Sequence, residues 1–214
     1  MEEEIQIINT QTRNEKIKNF FINNKKKFIY FVILVIIFLF SIFFYQDYKL
    51  SKKEEIANKY NFAALEYQNG EKTNTISTME EIISFKDSTY SVLAFYFLLE
   101  NDLIEDPKKI NSYYDLIIND INLKDEIKEL NIFKKALFNS DFVDENELLK
   151  ILDPLIKSKS VWKSHGMYLM AEFYLFNNQK KKSEEFFKKI VDLEDANDKI
   201  KLEAQKRLRA EFSE

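Results

Sequence analysis

The chain of 214 residues has no cysteine, two glycines, two prolines, one histidine and one tryptophan. Each scarcity excludes something. Without cysteine there is no disulfide framework, no thiolate zinc site, no thiol nucleophile and no lipidated anchor of the lipoprotein kind. Two glycines and two prolines are too few for β-rich folds, which need turn residues at regular short intervals. A lone histidine, with no Gly-rich phosphate loop anywhere, leaves few metal or nucleophile schemes. The expectation is therefore no enzyme, no cofactor and no small-molecule substrate, with His165 a surface or packing residue. Carboxylate pairs such as Glu80-Glu81 and Glu184-Glu185 sit at helix-surface spacing and read as solvated faces. The formal charge is −4, with +2 on residues 1–27 and −6 on the rest, which is not the balance of a nucleic-acid binder.

What the chain has in abundance is apolar side chains, and they come first as a run. Phe28–Tyr45 holds 18 residues without a charge, 15 of them Phe, Ile, Leu or Val. As a helix it would be about 27 Å long, enough to cross a thin bilayer with little tilt. Tyr30, Tyr45 and Tyr48 fall near its ends, where aromatic belts form. The following stretch, QDYKLSKKEE, offers no small-x-small cleavage site, so the run reads as a retained signal anchor. It contains neither Gly nor Ala, hence no small-residue face for close helix contact. Ser41 is its one small residue, and its hydroxyl can bond back to the preceding turn. Arg13, Lys16, Lys18, Lys25, Lys26 and Lys27 flank it on one side and Lys49, Lys52, Lys53 and Lys59 on the other. Six positives against four favour a cytoplasmic N-terminus and a C-terminal domain across the membrane, and leave the opposite sense open. Residues 1–27 form a basic stub in which Ile17, Phe20 and Phe21 have amphipathic helical spacing.

Residues 46–214 carry a hidden repeat. Ala64, Ala94, Ala136 and Ala171 are spaced by 30, 42 and 35 residues. From Ala171, the offsets +3, +12, +16 and +19 give Tyr174, Ser183, Phe187 and Ile190. From Ala64 they give Tyr67, Ile76, Glu80 and Ile83, with Glu80 breaking the pattern. Ala136 leads to Leu148, Leu152 and Leu155. Ala94 leads to Phe97 and, past four inserted residues, to Ile110, Tyr114 and Ile117. The pattern is a helix, a turn and a second helix, with a small residue where the two cross. Gly70, Asn101 and Asn177-Asn178 suit left-handed helix ends. Asp106-Pro107 suits an N-cap followed by proline at the first helical position. A last helix starting from Asp195 or Asn197 and running through IKLEAQKRLRAEF would cap the array. Lys180-Lys181-Lys182 reads as a charged turn and helix start, and Trp162 as a core plug.

Four hairpins with these offsets resemble degenerate tetratricopeptide repeats, best matched at VWKSHGMYLMAEFYLFNNQKKKSEEFFKKIVDL, residues 161–193. The whole chain would then be all-α, a single transmembrane helix followed by a helical-hairpin solenoid with a C-terminal capping helix. The order of basic stub (EKIKNFF), signal anchor, degenerate repeats and closing helix resembles the YfgM-like family of ancillary SecYEG translocon subunits. That resemblance implies a single-pass inner-membrane protein with a periplasmic repeat domain. It also implies association with Sec translocon subunits, periplasmic chaperones or client polypeptides. A scaffold of another envelope assembly, in cytochrome maturation or cell-wall machinery, is the alternative.

In such arrays the first helix of each hairpin lines the concave side. The positions that point there include Phe95, Leu98, Leu99, Phe133, Leu137, Tyr168, Leu175 and Phe176. If they line a groove, it should prefer apolar or amphipathic protein segments. A packed core favours the same residue types, so groove and core both stay open at this stage.

Overall fold

The structure, a computed structural model, describes residues 15–212 apart from 17 and 21. Ile17, Phe21 and the stub before residue 15 thus lie outside the described residues. The chain divides into two units, Met1–Glu55 and Ile56–Glu214.

The first unit is dominated by the opening of helix α1 (Lys25–Gln68), which contains the one stretch among the described residues long and apolar enough to cross a membrane. Every residue of the run from Ile29 to Tyr45 is exposed, as a lipid-facing helix requires. The Ser41 hydroxyl donates to the Ile37 carbonyl at 2.9 Å, the expected bond to the preceding turn. The second unit begins at Ile56, within α1. Its first side chain to enter the core is Ile56.

The second unit is all helix among the described residues. The final turns of α1 are followed by α2 (Lys72–Ser84), α3 (Tyr90–Glu100), α4 (Pro107–Asp120), α5 (Asp125–Asn139), α6 (Glu145–Ile156), α7 (Lys163–Phe176), α8 (Lys180–Asp192) and α9 (Asp198–Phe212). Local chemistry sets the boundaries. Asp106 caps α4, its carboxylate accepting the Lys108 N–H at 3.0 Å, with Pro107 at the first turn. Asp144 caps α6 through the Glu147 N–H at 2.9 Å. Of the two candidates for starting α9, Asn197 does so, accepting the N–H groups of Lys199 and Ile200. Gly70 and Asn178 adopt the left-handed conformation expected of them. After α3 that role falls to Asp102 and not Asn101, and Lys86 takes it after α2.

Each helix from α2 onward packs on the next, and α5 meets α7 and α7 meets α9. The crossings repeat one device. The Ser183 hydroxyl donates to the Ala171 carbonyl at 2.8 Å, and the Thr75 hydroxyl is shared between the Glu71 carbonyl at 2.9 Å and the Ala63 carbonyl at 3.2 Å, with Ser183, Ala171, Thr75 and Ala63 all buried. The first repeat is therefore registered on Ala63 and not Ala64. Shifting by one residue replaces Ile76, Glu80 and Ile83 with Thr75, Met79 and Ile82, all fully buried, and removes the anomaly at Glu80, while Ile83 is also fully buried and the +3 position passes from Tyr67 to Glu66. Glu80 is on the surface, paired with Lys109. Elsewhere the expected positions hold: Ile110, Tyr114 and Ile117 are buried behind Ala94, and Leu148, Leu152 and Leu155 behind Ala136.

Two rows of side-chain contacts run along the unit. Along the odd-numbered helices, Tyr60 meets Tyr90 at 5.9 Å, and the Tyr96 hydroxyl donates to Asn131 at 2.6 Å. Farther along, Phe133 meets His165 at 5.8 Å, and Arg207 grips Glu172 with two bonds of 2.7 and 2.9 Å. The even-numbered row is bridged by Lys109–Glu80 between α2 and α4 and by Lys182–Glu145 at 2.8 Å between α6 and α8. Among the described residues no hydrogen bond or ion pair joins α4 to α6. The row is interrupted there.

Candidate functional site

The eight residues expected on a concave face separate by burial. Phe95 and Leu98 are fully buried and belong to the core, not to a binding surface. Phe95 packs its ring against Tyr96, Tyr113 and Tyr114, the last at 4.8 Å. The cause is α3 itself: YSVLAFYFLLE is apolar nearly all round, so more than one of its faces is covered. Leu99, Phe133, Tyr168 and Leu175 are half-buried. Phe133 stacks on Trp162 at 5.8 Å and 18°, and His165 closes the cluster 5.0 Å from the indole. Burial in that apolar setting pushes the His165 pKa below its ordinary value. Tyr168 lies 5.5 Å from Phe187, and burial raises its phenol. Leu137 and Phe176 alone of the eight are exposed, Phe176 by 87%.

A wider concavity lies elsewhere, where the even row is interrupted. An open cleft of about 1290 Å³ is walled by α4 and α6 with α5 as its floor. Its floor carries a reciprocal amide pair: Asn139 donates to Asn111 at 2.8 Å and receives a bond of 3.0 Å in return. Lys135 reaches across the floor to Asp115 at 2.7 Å. Ile118, Ile132 and Ile151 give apolar surface, Phe142 stands exposed on the lining, and Lys108 and Lys150 lie on opposite walls. Pro154 lies inside α6 on the same wall as Lys150. Lacking an N–H, it removes the donor that the Lys150 carbonyl would otherwise have in the helix.

The α5–α6 turn separates this cleft from a smaller pocket of about 410 Å³, and Asp144 lines both. The pocket is formed by Val143, Phe173 and Phe176 with Asp141, Asp144 and Glu145. Glu145 is engaged by Lys182 at 2.8 Å and by the Tyr174 hydroxyl at 3.0 Å. The Lys182 bond holds its carboxyl below the usual range, while desolvation and Glu145 together push the Tyr174 phenol up to about 12. One third of the Lys180–Lys182 run is thus already paired.

The amides and proline of the cleft were not singled out from sequence. Pro154 inside an otherwise apolar-periodic segment was the available signal, since a helix-interior proline marks a break in backbone bonding. Among the described residues no group of three or more His, Asp or Glu side chains is disposed to hold a metal ion. Compared with protein-family models, with curated proteins and with solved structures, the chain matches none of them.

Proposed function

We propose that this chain is a membrane-anchored, non-enzymatic scaffold whose C-terminal hairpins form a tetratricopeptide-like array that binds other proteins. The observation that carries the reading is the cleft between α4 and α6, where the row of interhelical ion pairs stops. Asn119 and Asn146 line it with no hydrogen-bond partner among the described residues, whereas Asn111 and Asn139 are taken up by each other and by the Pro107 and Lys135 carbonyls. A carboxamide both donates and accepts, as a peptide bond does, so such a lining suits the backbone of a polypeptide segment. The isoleucines and Phe142 suit its apolar side chains.

The anchor Phe28–Tyr45 keeps this surface at a membrane, and the lysines before it favour a cytoplasmic N-terminus with the hairpins in the periplasm. Together with the resemblance to the YfgM-like family, this supports a role beside the Sec translocon, assisting secreted proteins together with periplasmic chaperones. The test is co-purification of the full chain from mild detergent. Translocon subunits and chaperones are expected in the eluate. Recovery of cytochrome-maturation or cell-wall proteins alone would move the scaffold to another envelope assembly, and recovery of no protein would remove the scaffold reading.

A further inference from the structure

We infer that the lysines just before the apolar span, Lys25, Lys26 and Lys27 with Lys16 and Lys18 behind them, form a binding surface for the headgroup phosphate of anionic glycerophospholipids. The inference needs the span in a bilayer and does not need the scaffold reading. It starts from an imbalance between the two ends of the span. Residues 16–27 carry five lysines and no acid. All five are exposed, and none makes an ion pair or a side-chain hydrogen bond among the described residues. Glu15, one residue earlier, pairs with none of them. Residues 46–55, at the other end, carry three lysines and three acids, and Lys52 already pairs with Glu55 at 3.1 Å. Uncompensated positive charge stands at the first end only.

The local structure holds these charges at the edge of the lipid. The described residues of 15–23 are helical and join α1 through the backbone ladder. The Asn24 N–H donates to the Phe20 carbonyl at 3.0 Å and the Phe28 N–H to the Asn24 carbonyl at 3.1 Å. The Asn24 carboxamide adds a second bond to the Phe20 carbonyl at 2.9 Å. The Phe20 ring meets Phe28 edge-on at 6.1 Å, so the two share a side of the helix. At about 100° per residue, Lys16 and Lys27 fall on one flank of that side and Lys18 and Lys25 on the other. At about 1.5 Å per residue, Lys25, Lys26 and Lys27 lie within about 5 Å of Phe28 along the axis, inside the Debye length of about 8 Å at physiological salt. Lys16 and Lys18 lie about 15–18 Å back, where an anionic surface is largely screened, and contribute less. Each aliphatic stem lets its ammonium reach out to the phosphate level. Phe20 and Ile22, both more than half exposed, set apolar surface beside the charges, which suits the interface of a bilayer and not a soluble polyanion.

The experiment uses the full chain in nanodiscs of equal phosphatidylglycerol and phosphatidylcholine, where both faces are open and the sense of insertion does not matter. The lipids kept by the chain on release into mild detergent are counted by native mass spectrometry. Phosphatidylglycerol is expected to be retained about threefold over phosphatidylcholine, the scale of an exposed charge pair, and the excess should shrink as salt rises. Lys25→Gln, Lys26→Gln and Lys27→Gln together should remove most of the excess. Lys16→Gln with Lys18→Gln should remove less, and Lys49→Gln, Lys52→Gln and Lys53→Gln together should leave it unchanged. Equal retention of the two lipids by the unaltered chain overturns the inference. So does an excess that survives the change at 25–27, or one that is lost equally with the change at 49–53. Displacement of the lipid by free glycerol phosphate would make the surface a site for soluble phosphate and also overturn it. Failure of the chain to enter nanodiscs would remove the span and the inference together. The scaffold reading is decided separately, by which proteins co-purify.

Discussion

Phe95, Phe133 and Phe176 are one residue type in equivalent helices, and their surroundings give them different work. Phe95 is fully buried among three tyrosines, so Phe95→Ala is expected to cost about 3–5 kcal/mol in chemical denaturation. Phe133 is half-buried and stacked on Trp162, and Phe133→Ala should cost about 1–2 kcal/mol, the pair contribution plus part of its buried area. Phe176→Ala should stay within about 0.5 kcal/mol of the parent, as for a surface change. His165 adds a pH signature to the same cluster. Its pKa is depressed in the folded state by burial, so the unfolded chain binds its proton more readily. The stability it contributes is complete above its unfolded pKa of about 6.5 and declines as pH falls through the folded value. Stability measured from pH 7 down to about 5 should fall, and His165→Gln should flatten that part of the profile. An unchanged slope in the variant would assign the acid sensitivity in that window to other groups; a further fall below it, in the carboxylate range, is expected from Glu145. Its carboxyl is held down by Lys182, and what that pair contributes is present above the unfolded carboxylate pKa and lost as pH falls below it.

At the level of elements, the crossings decide the register. Ala63 and Ala171 are fully buried where a second helix passes, and a hydroxyl from that helix reaches each carbonyl. Ala63→Leu should overpack the first crossing and cost about 1–3 kcal/mol, while Ala64→Leu, at a half-buried position, should cost clearly less. Equal costs in denaturant midpoints would place the crossing elsewhere. Ser183→Ala should cost about 1–3 kcal/mol, since it removes the donor to a buried carbonyl. The alanine spacing was legible in sequence because a crossing tolerates only small side chains. The one-residue ambiguity between Ala63 and Ala64 was not, because both are alanine and the discriminating residue, Thr75, lies on the other helix.

For the whole molecule, the uncharged run of α1 and the lysines before it set the expected topology. A C-terminal alkaline phosphatase fusion should be active and a C-terminal green fluorescent fusion dark, with the N-terminal residues retained in the mature chain. The reverse pair of results would put the hairpins in the cytoplasm and end the proposed periplasmic role, while leaving a membrane-bound protein binder. Cleavage after the apolar run would release the domain and remove the anchor from the argument altogether.

Periodicity and spacing along the chain were sufficient for the helical class, the apolar span, most helix limits and the buried positions behind Ala94, Ala136 and Ala171. These follow from short-range rules: the reach of a helix across lipid, the cap at Asp106 and the choice of Asp195 or Asn197 before the last helix, and the room a crossing allows. What lies between helices was decided only by tertiary structure. An apolar side chain on a first helix reads the same in sequence whether a neighbouring helix covers it, as at Phe95, or nothing does, as at Phe176. The cleft between α4 and α6 lies at the one step where the even-numbered row of side-chain contacts is interrupted. The pairs on either side of it, Lys109–Glu80 and Lys182–Glu145, join residues 29 and 37 positions apart in the chain, and no local pattern encodes them.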